Sequence, residues 1–228
     1  MKQFIRLELK KIRLRTYLSG ALLANALIGL LWLAGTTAAQ QTDYPITYEA
    51  LFIAVGQTSR IVFMIFAAVL MVPMFIGEYK SKTITLMFSY PISRRKLFAA
   101  KLVIVLGMTF TLLVATNLFF DAVFYVVNEY FYFVNKPLSH EQMVQEVWLV
   151  LGQGLAVTFM TLIPLYLGML RRSSVTLMIS AVVMALIINA TNDDLILSTV
   201  LTVNIFMALA GVACMWRLLY VVEYKDAV

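Results

Sequence analysis

Apolar positions in this 228-residue chain gather into long, nearly unbroken runs, not into the alternating or three-in-seven patterns of half-buried elements. A helix needs roughly 20 apolar residues to cross a hydrocarbon layer at about 1.5 Å of rise each. Six stretches meet or approach that length: Tyr17–Ala39, Gln57–Ile76, Leu102–Val127, Val147–Leu170, the shorter Val175–Ala190, and Leu195–Leu219. Thr37-Ala38-Ala39 has the small residues of a signal cleavage site, but the run before it exceeds the ~7–15 residues of a signal core, so it reads as a retained helix. No polar stretch of domain size is left over. The pattern predicts an all-α integral membrane protein, residues 1–228 forming a single transmembrane domain of six helices.

Composition sharpens this. Hydrophobic residues make up 62% and charged residues 13%, against about 45–50% and about 25% in soluble domains. An aqueous enzyme, a disordered chain and a free nucleic-acid binder are excluded on that ground. The net charge of +6 then describes topology. With the N-terminus inside, 16 of the 18 basic residues fall on inner segments, and Arg60 and Lys136 remain outside. Basic loops stay cytoplasmic during insertion, so both termini are expected inside. Asp43, Glu49, Asp121, Glu129, Glu141, Glu146, Asp193 and Asp194 lean outward. Cys214 is the single cysteine, which excludes an intrachain disulfide and a Cys-rich metal site.

Residues 1–15 set Ile5, Leu9 and Ile12 beside Lys2, Arg6, Lys10 and Arg13, an amphipathic arm for the inner interface. An orientation signal with no other role is the competing reading. Gly77 to Lys101 is the most informative inner segment. Ile84, Met87 and Phe88 at i, i+3, i+4 predict a short amphipathic helix over Lys82–Ser89. Pro91 stops it by disfavouring helix at Tyr90, and Ser93 is a natural N-cap for the third span. Arg94, Arg95 and Lys96 oppose the dipole of that helix start, so topology or a partner contact outweighs it.

These residues resemble the cytoplasmic loop of type-2 ATP-binding-cassette exporter permeases. In that family an acidic residue ending span two leads through a Thr-containing helix to a Pro-x-Ser-Arg turn that opens span three. Glu78, Thr83, Ser89-Tyr90-Pro91-Ile92-Ser93-Arg94 and Lys101 are the matching elements here. The resemblance implies that 82–89 is a coupling helix seated on an ATPase subunit, with Glu78, Lys82, Thr83, Phe88, Ser89, Tyr90, Pro91, Arg94 and Arg95 as its contacts. It also implies two ATPase subunits holding ATP and Mg, a second permease subunit, identical or homologous, and a place in the bacterial plasma membrane. Small permeases of this kind serve peptide export or immunity to peptide antibiotics.

No chemistry of its own is legible in the chain. Gly77 to Thr83 ends like a phosphate loop, but Ile76 and Ser81 stand where glycines are needed to let backbone amides curl round phosphates. His140-Glu141 opens like a zinc helix without a second His. Asn189-Ala190-Thr191 fits a glycosylation acceptor but abuts the membrane. No cofactor and no metal is expected in this chain. Ionisable groups deep in the bilayer are costly and usually functional, and the chain reads as nearly avoiding them. Asp121 is read as a hydrated end residue or a substrate contact. Asn25, Asn117 and Asn189 are read as helix–helix hydrogen bonders or substrate-path residues. Pro73 and Pro164 each remove a helical hydrogen bond and permit a kink, passive or relaying loop motion.

Three functions follow. The first is the membrane subunit of an ATP-driven exporter of an amphiphilic peptide or lipid-like molecule, to which 13 methionines offer an adaptable apolar surface. The second is an ion-coupled carrier or channel working alone. The third is a non-transporting sensor or immunity protein that binds an antibiotic.

Overall fold

A computed structural model of the chain describes residues 14–39, 48–77, 94–131, 140–189, 191–192, 195–196 and 201–224. It is an all-α membrane protein. The helices are α1 (Leu14–Ala39), α2 (Tyr48–Met71), α3 (Arg94–Phe131), α4 (His140–Met160), α5 (Leu162–Leu170), α6 (Ser174–Ile188) and α7 (Leu201–Tyr224). A two-residue antiparallel pair, Thr191–Asn192 with Leu195–Ile196, lies between α6 and α7. Among the described residues, Leu51–Ile76, Leu97–Asn128 and Glu141–Leu170 are long and apolar enough to cross a membrane, and Tyr17–Trp32, Ser174–Ile188 and Asn204–Leu218 are shorter apolar helices.

Two boundaries differ from the hydropathy reading. The second helix starts at Tyr48, nine residues before Gln57, because the polar Glu49 and Gln57 lower the hydropathy without interrupting backbone hydrogen bonding. The last begins at Leu201 instead of Leu195, since Leu195 and Ile196 pair as strand. The arm at 1–13 and the coupling helix at 82–89 lie outside the described residues.

Two prolines mark irregular turns. Pro73 offers no N–H to Val69, and the chain widens into a π-helical turn at Val72–Ile76, closed by Gly77 N–H donating to the Val72 carbonyl. Pro164 likewise has no N–H for Met160, and the helix is interrupted at Thr161, dividing the fourth apolar stretch into α4 and α5. The α5–α6 hairpin closes with Arg172 N–H on the Met169 carbonyl at 3.2 Å and Ser173 N–H on the Gly168 carbonyl at 3.1 Å. This is a Schellman turn, whose left-handed position, usually glycine, holds Arg172 at φ 48°. Ser173 then caps α6 by accepting from Thr176 N.

α2 is the central helix, packed on α1, α3, α4, α5 and α6. The main core runs through Phe63, Met64, Leu70, Met71, Met160, Leu165 and Leu177. Smaller clusters, Ile28–Val55–Phe120 and Tyr48–Leu51–Phe52, with Trp32 and Phe124 against both, hold the end remote from residues 78–93. α1 packs lightly and presents Leu22, Leu23, Leu27, Leu30 and Leu31 outward, while Trp148 and Trp216 are 71% and 77% exposed. An outward surface this apolar suits lipid, which asks no hydrogen bonds of it.

Candidate functional site

Polar residues from three helices meet inside the bundle. On α2, Gly56 and Arg60 share a face at i, i+4. Asn117 and Asp121 do so on α3, and Glu146 and Gln153 at i, i+7 on α4. Arg60 is 4% exposed and lies about 14 Å along the helix from Leu51, where the spanning stretch starts. It is therefore inside the bundle, not on the outer surface where the basic-residue count put it. Starting the helix at Gln57 had left Arg60 in its first turn; the true start at Tyr48 carries it inward.

The guanidinium is held on two sides. Nε donates to the Gly56 carbonyl at 3.0 Å, and Nη1 donates to Gln153 Oε1 at 2.7 Å. The second bond ties α2 to α4. Glu146 lies close enough to interact electrostatically with both Arg60 and Asp121. A buried cation of this kind is tolerable only with its donors engaged and a counter-charge near. Phe52, Ile53, Gly56, Arg60, Leu113, Asn117, Glu146, Leu149, Val150, Gln153 and Gly154 line a cavity of about 50 Å³ between the three helices.

Among the residues singled out from sequence, Asn117 lines this cavity, and Asp121 lies one turn beyond it on α3. Asn117 is buried and donates to the Leu113 carbonyl at 2.8 Å, with its Oδ1 beside Gly56 and Arg60. Asp121, half-buried one turn further along α3, has its Oδ2 buried with no hydrogen-bond partner among the described residues. Asn25 and Asn189 lie elsewhere, donating to the Ala21 carbonyl at 3.0 Å and the Ala185 carbonyl at 2.8 Å. All three amide N–H groups thus donate one turn back along the chain, and Asn25 Oδ1 and Asn189 Oδ1 are buried with no partner among the described residues; Arg60–Gln153 and Asn128 Nδ2 to Tyr48 Oη at 2.6 Å are bonds that do cross between helices. Arg60, Glu146 and Gln153 were missed as site residues. The i, i+4 and i, i+7 polar stripes on otherwise apolar helices were the available signal.

A second arrangement joins the stems of the 78–93 segment. Lys101, 3% exposed on α3, donates from Nζ to the Met74 carbonyl in the π-helical turn at 3.1 Å. Phe75 and Phe98 stack edge to face with centroids 4.8 Å apart. The cation also sits at the C-terminal end of α2, where unpaired carbonyls favour positive charge. Glu78, Lys82, Thr83, Phe88, Ser89, Tyr90 and Pro91 lie outside the described residues, and Arg94 and Arg95 form the first turn of α3.

Comparison with known proteins places the chain. The model of the ABC-2 family transporter proteins matches residues 4–192. The protein YcbO of Bacillus subtilis (strain 168), named as uncharacterized, is 34% identical over 229 residues, covering 98% of this chain and 99% of its own length. No solved structure matches.

Proposed function

The chain belongs to the ABC-2 transporter family, and on that premise we propose that this permease subunit exports an amphiphilic substrate, best fitted by an antimicrobial or toxin peptide, with ATP hydrolysed by two separate ATPase subunits. A second permease copy, identical or homologous, completes the transporter. The termini and the 78–93 segment face the cytoplasm of a bacterial cell, as the distribution of basic residues implies. The ATPases hold ATP and Mg; this chain supplies the path and the lever.

One observation carries the reading: Lys101 and the Phe75–Phe98 pair fasten the two stems of the 78–93 segment directly onto α2 and α3. Movement imposed at 78–93 is delivered to these helices as a unit and is not absorbed by a slack hinge. α2 continues from the clamp to Arg60, so the same helix that receives the push lines the polar cavity. Glu78, Arg94 and Arg95 are the contacts to the ATPase on this reading.

Co-purification of the chain with candidate ATPases, followed by Glu78→Ala, Arg94→Ala and Arg95→Ala, tests it. Loss of assembly or of substrate-stimulated ATP hydrolysis is expected, and unchanged assembly with unchanged stimulation would refute the coupling role. The group of buried Arg60 with half-buried Glu146 and Asp121 favours one second reading, an ion-coupled carrier, since carriers place such groups within the bilayer. Uptake driven by an ion gradient in vesicles containing this chain alone would select that reading over ATP-driven export.

A further inference from the structure

We propose that Asn25, Ser59 and Thr116 form a polar layer between α1, α2 and α3 that binds one internal water molecule and, through it, fixes the register of α1 on the bundle. The proposal goes beyond the exporter reading and does not depend on it.

Register places the three residues at one level. α2 and α3 run antiparallel with a nearly constant offset: Lys101 meets Met74, Phe98 meets Phe75, Asn117 Oδ1 lies beside Gly56, and Phe120 packs with Val55. Carried to Ser59, the same offset puts Thr116 opposite. α1 runs parallel to α3, with Gly29 facing the ring of Phe120 and Trp32 that of Phe124, so Asn25 stands level with Thr116. Against α2, Ile28 packs with Val55 and Gly20 faces Phe66, which brings Ser59 level with Asn25. The faces agree as well. Asn25 lies one turn from Ile28, Ser59 from Val55 and Thr116 from Phe120, so the polar layer follows the Ile28–Val55–Phe120 cluster on the same three faces.

Burial and hydrogen bonding set this layer apart. Ser59 is 0% exposed and Thr116 3%. Hydroxyls elsewhere in the bundle turn back on their own helix: Thr58 donates to the Ala54 carbonyl at 2.9 Å, Thr109 to Val105 at 2.8 Å and Thr158 to Gly154 at 2.7 Å. Ser59 Oγ has no partner among the described residues, and neither has Asn25 Oδ1, whose amide N–H goes to the Ala21 carbonyl. A donor and an acceptor thus stand level with each other in an apolar seam, where an unmet polar group is costly. Neither is the other's partner, so the gap between them exceeds a direct bond and suits a bridging water.

Chemistry chooses the guest. Each residue of the layer is smaller than its counterpart among Ile28, Val55 and Phe120, a difference that a small guest fills. All three side chains are neutral, and Arg60, next to Ser59 in the chain, turns instead to Gly56 and Gln153. An ion would bring charge into the seam without a counter-charge. Water needs only two to four polar partners. It accepts from Ser59 and donates to Asn25 Oδ1, with a second proton for Thr116 Oγ1. α1 otherwise meets its neighbours through small and apolar residues such as Ala21, Ile28 and Gly29, which can slide; the bridge gives the contact a direction.

The experiment uses the full chain in perdeuterated phosphatidylcholine bilayers with water itself as the probe. Proton-detected solid-state NMR reads magnetisation transfer from water to individual side chains. Transfer to Asn25, Ser59 and Thr116 is expected, with none to Leu27 and Leu30 on the exposed side of α1, and the Asn25 signal should vanish in Ser59→Ala. Thermal unfolding gives a second readout. Ser59→Ala and Asn25→Ala should each lower the melting temperature by at least about 2 °C, and the double variant should melt no lower than the worse single one, because either change already releases the water. A hydroxyl that bonds nothing predicts the reverse: an unchanged or higher melting temperature for Ser59→Ala would overturn the proposal. So would absence of water transfer to the layer, or a wild-type melting temperature that falls when sodium is replaced by choline, the mark of a cation site. Should Asn25→Ala fail to fold, Ser59→Ala and the water transfer still decide.

Discussion

Substituting glycines along the bundle one at a time measures how closely its helices approach. At Gly211 on α7, an added Cβ would stand 2.3 Å from the Phe159 carbonyl oxygen and 3.2 Å from its carbon. A carbon and a carbonyl oxygen settle at about 3.3–3.6 Å, so α7 and α4 must separate by about 1 Å. The obstruction is backbone on both sides, so no side-chain rotation relieves it. Overpacking of this kind costs about 1–3 kcal/mol, offset by up to about 1 kcal/mol for replacing a helical glycine with alanine. With the full offset the net loss is about 0–2 kcal/mol, or up to roughly 8 °C in melting temperature for a chain of this size, and the overpacking cost appears undiminished as the gap to an unobstructed glycine carrying the same substitution. Gly168→Ala should behave similarly, because its Cβ would meet Leu177 Cβ at 2.6 Å. Gly154→Ala should cost less, since its nearest neighbour is the Val114 Cγ2 methyl at 3.2 Å, which can yield. Gly107 and Gly152 have nothing within 4 Å, and alanine there should leave stability unchanged or raise it. Thermal unfolding of purified variants, followed by gel filtration of the heated samples, reads the series. If Gly211→Ala melts with the Gly107 and Gly152 variants, the α4–α7 contact is not as close as described and the reasoning fails.

Arg60→Met should destabilise the fold by about 1–3 kcal/mol, because it leaves Gln153 Oε1 without its charged donor and removes the cation beside half-buried Glu146; adding Glu146→Gln should recover part of that loss in a double-mutant cycle, and strict additivity would refute the pairing. Lys101→Met should remove a charge-assisted bond of about 1.5–3 kcal/mol to the Met74 carbonyl, with substrate-stimulated ATP hydrolysis falling further than assembly with the ATPase; equal falls would make Lys101 merely structural. Arg172→Gly should relieve the left-handed backbone at φ 48°, worth about 1 kcal/mol, and a lower melting temperature for this variant would contradict that.

How much of this was legible in the sequence depends on what each feature requires of the chain. An apolar run announces a buried or lipid-facing helix whatever it packs against, so the all-α membrane class could be read directly. Boundaries could not, because hydropathy averages side chains while a helix is held by its backbone. Glu49 and Gln57 lower the average without stopping α2, and Leu195–Ile196 raise it although they pair as strand. The prolines gave positions for irregular turns; the π-helical form at Val72–Ile76 follows from the neighbouring register, which no single residue states. The cavity was the least legible feature. Arg60 and Gln153 lie 93 residues apart in the chain, and each is only an isolated polar residue until the helices are placed side by side. Asn117 and Asp121 were noticed, yet their common face pointed nowhere until Glu146 and Arg60 stood opposite.

Stability does not account for the two buried cations. Replacing a buried charged group and its partners with well-packed apolar residues is often neutral or stabilising, so a bundle selected for robustness alone would carry leucine or methionine at positions 60 and 101. What the two share is their attachment to α2: Lys101 binds its carbonyl at Met74, and Arg60 projects from it to Gln153 on α4. The Lys101 attachment at Met74 lies within the π-helical turn at Val72–Ile76, and α2 runs back from that turn to Arg60. A displacement entering at the Lys101 end must therefore either alter that turn or travel on to Arg60, and in the second case it pulls on a directional hydrogen bond at the wall of the cavity. Apolar contacts at the same positions would slide, because dispersion has no preferred direction. Charge-assisted bonds do not slide; they hold or break. Costly, directional attachments at the end and at the middle of one helix are what a transmission element needs, and what a passive support can do without.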